Sequence, residues 1–171
     1  LVFSHRYRGS DWNEMFDVNV KSVRNLIELT VSKFKNGGSV VVISSNASHF
    51  VLDEQSAEYH SSKAALESMV RYYAVKYGKK NIRFNSILPS TLLKPENLDF
   101  FTKNNKVRKM IENITPLGRM GEADDIANMV EFLCSPKSTF ITGNSFFVDG
   151  GLSLVGQETI ARNLLGCTHE K

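Results

Sequence analysis

The run Ser39-Val-Val-Val-Ile43 narrows the fold more than any other feature of this 171-residue chain. It has no polar alternation and is β-branched after its first residue, the pattern of a strand buried on both faces. Asn36-Gly37-Gly38 leads into it and Ser44-Ser45 follows. Another strand covers 82–88 and stops at Pro89, which cannot donate to a ladder. Two long helical patterns accompany these strands. One starts at Ser10 or Asp11, either of which can cap it, and runs to about Phe34. It carries Trp12, Met15, Phe16, Val20, Val23, Ile27 and Val31 at helical spacing. The other spans 57–77 and is expected to end at Gly78. The apolar start Leu1-Val2-Phe3 reads as a further strand. Strands separated by long helices predict parallel βα units and a sheet covered on both faces.

Further on, a loop leads to a lysine-rich helix over 98–113, a turn-rich link over 116–121 and a helix over 122–134. A short strand at 145–148 precedes Asp149-Gly150-Gly151, and nothing after Val155 has a strong pattern. The expected division is therefore one partial α/β domain over 1–155 with a C-terminal tail over 156–171. The net charge of +3 is too mild, and its basic residues too scattered, for a nucleic-acid partner. Lys103, Lys106, Arg108 and Lys109, the densest group, read as a solvated helix face. No apolar run approaches the roughly 18 residues of a membrane span. Cys134 and Cys167 form no C-x-x-C, and His5, His49, His60 and His169 show no ligand spacing. No metal site is expected, and two reduced thiols suit a cytoplasmic protein.

Ligands of such sheets sit at the carboxyl ends of the strands. Ser44 and Ser45 lie at one such end, Pro89 just past another, and the helix bearing Tyr59-His-Ser-Ser-Lys63 begins on the same side. A tyrosine and a lysine four residues apart share one helix face. An ammonium beside a phenol favours the phenolate, whose ordinary pKa is about 10. A serine hydroxyl brought to the same point can hold a carbonyl oxygen while the phenol delivers its proton. Taken singly, each residue has a plainer explanation. Asn19 could hydrogen-bond its own helix, Ser45 could be an ordinary strand-end hydroxyl, and Lys63 could snorkel to solvent. Together they are the equipment for reducing a carbonyl or oxidising an alcohol.

In order and spacing, these residues resemble the short-chain dehydrogenase/reductase family in its compact single-domain branch. Asp17-Val-Asn19-Val is similar to the family's helical asparagine, and Val41-Val-Ile-Ser-Ser45 to its catalytic-serine strand. Tyr59-His-Ser-Ser-Lys63-Ala-Ala resembles its Tyr/Lys helix, and Ile82-Arg-Phe-Asn85-Ser-Ile-Leu-Pro89 the strand after it. Pro116-Leu-Gly-Arg-Met-Gly121, Ile141-Thr-Gly143 and Val148-Asp-Gly-Gly151 resemble its C-terminal signature. The likeness covers about residues 10–155. It implies a Rossmann-like, doubly wound parallel sheet, of which this chain is the C-terminal part. It further implies Tyr59 as general acid or base, and Lys63 as the group that lowers its pKa and holds the nicotinamide ribose. Ser45 would polarise the substrate carbonyl, and Asn19 would hold a water linking Lys63 to solvent. Pro89, Ser90 and Leu92 would face the nicotinamide with backbone.

Departures from the pattern matter too. One extra residue separates Ser45 from Tyr59, so Ser44 and Ser48 are alternatives to it. Ser90 stands where the family has glycine and Lys94 where it has threonine. No Asn-Asn-Ala-Gly follows the first strand; Phe3-Ser4-His5-Arg6 aligns there. The glycine-rich turn that holds a pyrophosphate at a helix N-terminus is also absent, which leads us to expect a missing N-terminal segment.

The resemblance implies an NAD- or NADP-dependent oxidoreductase interconverting a secondary alcohol and a ketone. A non-catalytic subunit or binding module of the same fold is the alternative. The two-domain branch acting on nucleotide sugars ranks lower, because it lacks the Val-Asp-Gly-Gly ending. The isolated chain is expected to be inactive, since it would grip only the nicotinamide half of the cofactor. Homodimers or homotetramers are implied through helices 11–34 and 57–77, with the C-terminal segment adding a second interface. The loop at 46–56 and the segment at 91–115 would shape substrate choice, the latter as a lid. Lys94, Lys103 and Lys106, with His5, Arg6 and Arg8, could receive an anionic substrate, although surface solvation explains them more simply.

Overall fold

The structure, a computed structural model, describes residues 2–3 and 11–167, with backbone alone at Val2 and Phe3. Expectations that fall on Leu1, Ser4, His5, Arg6, Arg8, Ser10 and His169 lie outside the described residues. Two compact units divide the chain. One holds the described residues up to Leu88 together with Asn128–Phe146, and the other holds Pro89–Ala127 and the described residues from Phe147 on.

In the first unit, strand β1 (Val2–Phe3) precedes helix α1 (Trp12–Phe16), a π-helical turn (Asp17–Lys21) and helix α2 (Ser22–Val31). Strand β2 (Gly38–Ile43), helix α3 (Ala57–Tyr77) and strand β3 (Ile82–Pro89) follow. A four-stranded sheet has the order β1-β2-β3-β4, where β4 is Ser145–Val148. The β1–β2 and β2–β3 pairs are parallel, with Val41 opposite both Val2 and Asn85.

Side chains alternate across this sheet and both faces are covered. Val40, Val42, Ile82 and Phe84 pack with Val23, Ile27 and Val31 of α2 and with Leu66, Val70 and Tyr73 of α3. On the other face Val41 is fully buried and Ser39 donates to the Leu133 carbonyl at 2.8 Å. The Arg83 guanidinium reaches Ser138 Oγ at 3.0 Å, and the Asn85 amide reaches the Ile141 carbonyl at 2.9 Å. Covering both faces removes the reason for polar alternation, so the uninterrupted Val40-Val41-Val42 run is what this layer requires. The Glu67 carboxyl of α3 enters the core. It is 2% exposed, its Oε2 accepts from Ser86 Oγ of β3 at 2.8 Å and from Ser145 Oγ of β4, and its Oε1 has no hydrogen-bond partner among the described residues.

Several boundaries differ from the sequence expectation. Asp11 is the first helix's cap, its Oδ1 accepting from Glu14 N–H at 2.7 Å, and regular helix ends at Val31 instead of Phe34. α3 does end where expected, with Gly78 as its C-cap. The φ of Gly78 is −57°, a 3₁₀ turn continues over Gly78–Lys80, and the left-handed residue is Asn81 at φ +57°. Gly37, at φ +83°, comes so close to Asn81 that a Cβ there would stand 2.5 Å from the Asn81 carbonyl oxygen. No other residue fits that crossing.

The second unit holds helices α4 (Pro95–Lys103) and α5 (Asn105–Ile114), the start of α6 (Ala123–Cys134) and α7 (Gln157–Leu165). The expected single lysine-rich helix is two, broken at Asn104, whose φ of −106° and ψ of 60° leave the helical region. The segment without a pattern after Val155 contains α7. Asp125, in the first turn of α6, accepts from Glu122 N–H and from both Arg119 amino groups, each at 2.8 Å. Those bonds, led by the Arg119 contact, hold its carboxyl down to about 2.

The ring of Phe84 is fully buried and stacks on Tyr73 at 5.6 Å and on Tyr77 at 5.9 Å. Phe84→Ala opens a cavity that this aromatic layer cannot close, so it is expected to cost about 3–5 kcal/mol by urea unfolding. A loss under about 1 kcal/mol would show that the layer collapses freely.

Candidate active site

Ser56 caps α3, its Oγ accepting from Tyr59 N–H at 3.3 Å, and so sets Tyr59 in the first turn. Lys63 follows one turn later on the same face. Its ammonium lies 5.7 Å from the centroid of the Tyr59 ring and donates to the Ile43 carbonyl, the last of β2, at 3.5 Å. Both side chains are buried, at 6% and 2% exposure. A lysine so enclosed needs polar company, and the strand end provides it. Ser44 ties the same strand end to α3 by donating to the Lys63 carbonyl at 3.3 Å.

Asn19 sits in the middle of the π-helical turn. Here Ser22 N–H reaches back five residues to the Asp17 carbonyl, and the Ser22 hydroxyl bonds the Val18 carbonyl. A wide turn of this kind inserts a residue into the helix and re-aims the side chains around it. The Asn19 amide turns inward and is 1% exposed. It donates to Met15 Sδ at 2.9 Å and to Ser62 Oγ at 3.1 Å. Ser62 in turn donates to the Tyr59 carbonyl at 2.9 Å. Asn19 and Tyr59 therefore share Ser62 as an intermediary.

The three candidate serines have distinct environments. Ser45 is buried, accepts from Ala47 N–H at 3.2 Å and donates to Asn46 Oδ1 at a long 3.3 Å. Ser44 gives its proton to α3. Ser48 gives its proton to the Ser45 carbonyl at 2.7 Å and faces His49 Nδ1 at 2.9 Å. Pro89, Ser90 and Leu92 belong to the second unit. Pro89 is the last residue of β3, and Leu92 makes a parallel bridge to Gly121. Lys94 precedes α4, its N–H donating to Asn97 Oδ1 at 2.7 Å.

Sequence reasoning singled out Asn19, Ser45, Tyr59 and Lys63 but missed Ser62, Met15 and Asn46, which hold them. Ser62 carries the one usable signal, a small hydroxyl directly before the lysine. The π-helical turn has none, because the apolar spacing runs through it undisturbed. Among the described residues, no group of three or more His, Cys, Asp or Glu is placed to hold a metal ion, and no helix is long and apolar enough to cross a membrane.

Comparison with known proteins places the chain in a family. Residues 4–153 match the family model described as Enoyl-(Acyl carrier protein) reductase. A tropinone reductase homolog of Arabidopsis thaliana is 34% identical over 155 residues, covering 90% of this chain and 57% of that protein. L-rhamnose 1-dehydrogenase (NAD(P)(+)) of a Sphingomonas species is 35% identical over 140 residues, covering 80% of this chain and 54% of that protein. Acetoin dehydrogenase from Enterobacter cloacae superposes with a TM-score of 0.78 at 25% identity, over 92% of this chain and 65% of that one. The fold is therefore the α/β, Rossmann-like arrangement with a parallel sheet. The chain belongs to the short-chain dehydrogenase/reductase family, a family of oxidoreductases, and spans 57% and 54% of the two curated relatives named.

Ser62→Ala is expected to cost about 1–3 kcal/mol in urea unfolding, because it removes a buried acceptor from the Asn19 amide. A variant as stable as the parent would mean that Met15 and the rest of the π-helical turn hold Asn19 without it.

Proposed function

We propose that the protein carrying this chain is an NAD- or NADP-dependent oxidoreductase that interconverts a secondary alcohol and a ketone. The observation that carries this reading is the Lys63 ammonium 5.7 Å from the Tyr59 ring, both enclosed at the carboxyl end of β2. The donor set suits a nicotinamide ribose, because the Tyr59 hydroxyl and the N–H groups of Lys63 can bond vicinal hydroxyls. Pro89, Ser90 and Leu92 enter the proposal as further cofactor contacts on the family resemblance. The bound dinucleotide would supply or accept the hydride.

In the reducing direction Tyr59 gives its phenolic proton to the substrate oxygen, and in the oxidising direction it takes the proton back. Lys63 places positive charge beside the ring as the proton leaves. Ser45 donates to the substrate oxygen, which displaces its long bond to Asn46. Asn19, fixed through Ser62, holds a water that links Lys63 to solvent. Burial of the pair sharpens each of these electrostatic effects. The intact Asn19, Ser45, Tyr59 and Lys63 set favours an enzyme over a non-catalytic subunit.

Tyr59→Phe in the intact natural protein removes the proton donor and leaves the ring in place. The loss expected in kcat is at least about 100-fold, with coenzyme binding retained. More than about a tenth of the parent's kcat would refute the assignment of Tyr59.

We also propose that the protein assembles as a homodimer or homotetramer through α1–α2 and α3. Leu26, Leu29, Tyr72 and Val75 of these helices are 46%, 68%, 60% and 85% exposed, so both helices present apolar side chains to solvent. Light scattering of the intact protein at micromolar concentration is expected to give at least twice the monomer mass. A monomer would overturn this interface.

A further inference from the structure

His60, next to Tyr59, is committed at both ring nitrogens. Its Nδ1 lies 2.8 Å from the Ser56 carbonyl oxygen, and its Nε2 lies 2.9 Å from the Leu52 amide nitrogen. A carbonyl can only accept and an amide N–H can only donate. Nδ1 therefore carries the ring proton, Nε2 is bare, and the imidazole is a single neutral tautomer. The ring spans eight residues of sequence to reach Leu52 and crosses the Tyr59 ring edge-on at 6.3 Å between centroids.

That bond seats a particular side chain. Phe50 and Val51 are 41% and 88% exposed, whereas Leu52 turns inward onto Tyr59, Ala47 and Met15. Backbone bonds also hold the loop, among them Phe50 N–H to the Asn46 carbonyl at 3.0 Å and Gln55 N–H to the Leu52 carbonyl at 2.9 Å. Neither places the Leu52 amide. The His60 ring does.

We propose that His60 is a positioning residue that latches the 50–56 loop against Tyr59, and that Leu52, seated by the latch, is an apolar wall for the carbon skeleton flanking the reacting carbonyl. This deepens the oxidoreductase reading and rests on it for the wall, though not for the latch. The substrate class is then a ketone with at least one aliphatic substituent, not one polar on both sides.

Removing the ring separates its two bonds cleanly. In His60→Ala the Ser56 carbonyl keeps the backbone N–H of residue 60, which reaches it at 3.3 Å, while the Leu52 amide loses its acceptor. His60→Gln restores an acceptor oxygen near the position of Nε2 without the Nδ1–H donor. Two measurements on the intact protein test the proposal. The first is amide hydrogen exchange at Leu52, with ¹⁵N shifts of the His60 ring. Exchange is expected to quicken about fivefold to tenfold in His60→Ala, the equivalent of one hydrogen bond, and to stay near the parent rate in His60→Gln. The ring is expected to show a protonated Nδ1 and a bare Nε2. A protonated Nε2, or equal exchange in His60→Ala and the parent, overturns the latch.

The second measurement is the ratio of kcat/KM for cyclohexanone to that for acetone. In both Leu52→Ala and His60→Ala it is expected to fall about tenfold, chiefly through KM for cyclohexanone, with His60→Gln recovering most of it. An unchanged ratio in Leu52→Ala overturns the wall. If the parent reduces neither ketone with either coenzyme, the wall falls with the oxidoreductase reading, and the latch is judged on exchange and ring shifts alone.

Discussion

Helix α3 lies along the even-numbered residues of β2 and β3, and Tyr59 and Lys63 take their position from that contact. Leu66, Val70 and Tyr73 meet Val40, Val42, Ile82 and Phe84 in one apolar layer. Burying such side chains removes roughly 1.5–3 kcal/mol of unfavourable hydration each, which fixes both the rotation and the height of the helix. Tyr59 and Lys63 are the continuation of that face past the end of the apolar layer, where β2 stops and its last carbonyls are available. A slip of the helix by one residue would turn the face by about 100° and take the phenol and ammonium out of the site together.

The polar groups follow the same logic with less tolerance. Asn19, Ser44, Ser45, Ser62, Lys63 and Arg83 are all buried, and each is hydrogen-bonded. A buried polar group without a partner costs a few kcal/mol, so these bonds define a single arrangement more than they add stability. The chain Asn19–Ser62–Tyr59 shows this most directly, because it joins a π-helical turn in one element to the backbone of another. The wide turn, a poor structure in isolation, persists because α3 supplies an acceptor for the amide it turns inward.

Legibility tracked periodicity and fixed spacing. The all-apolar β2 run, the Pro89 stop and the pair at positions 59 and 63 could be read because burial on two faces and a helical repeat each leave a one-dimensional trace. The two long helices and β4 were visible for the same reason. What escaped notice depends on partners distant in sequence. The π-helical turn leaves the apolar spacing of α1 and α2 intact, so only the acceptor on Ser62 reveals it. Asn104 breaks the lysine-rich helix through its own backbone geometry, at φ −106° and ψ 60°. α3 ends at Gly78 as expected, but the left-handed residue that follows, Asn81, could not be read, because its position is set by the crossing of Gly37. The bonds of His60 could not be read at all: one of its partners is a backbone amide eight positions away, and any residue type but proline could have supplied it.

The Glu67 carboxyl has a consequence for the order in which this chain can be completed. Its oxygen accepts from Ser86 and Ser145, hydroxyls that lie 19 and 78 residues further along. During synthesis at about 5–20 residues per second, roughly 4–16 s pass between the emergence of the acid and that of its last partner. Over that interval the carboxyl has no complete set of donors, and water must serve in their place. α3 can coil early from local contacts, but the layer around residue 67 cannot dry until β4 arrives. Closure of the core is thereby deferred until β4 has emerged, and a nascent molecule lacking β4 keeps a hydrated acid within its core.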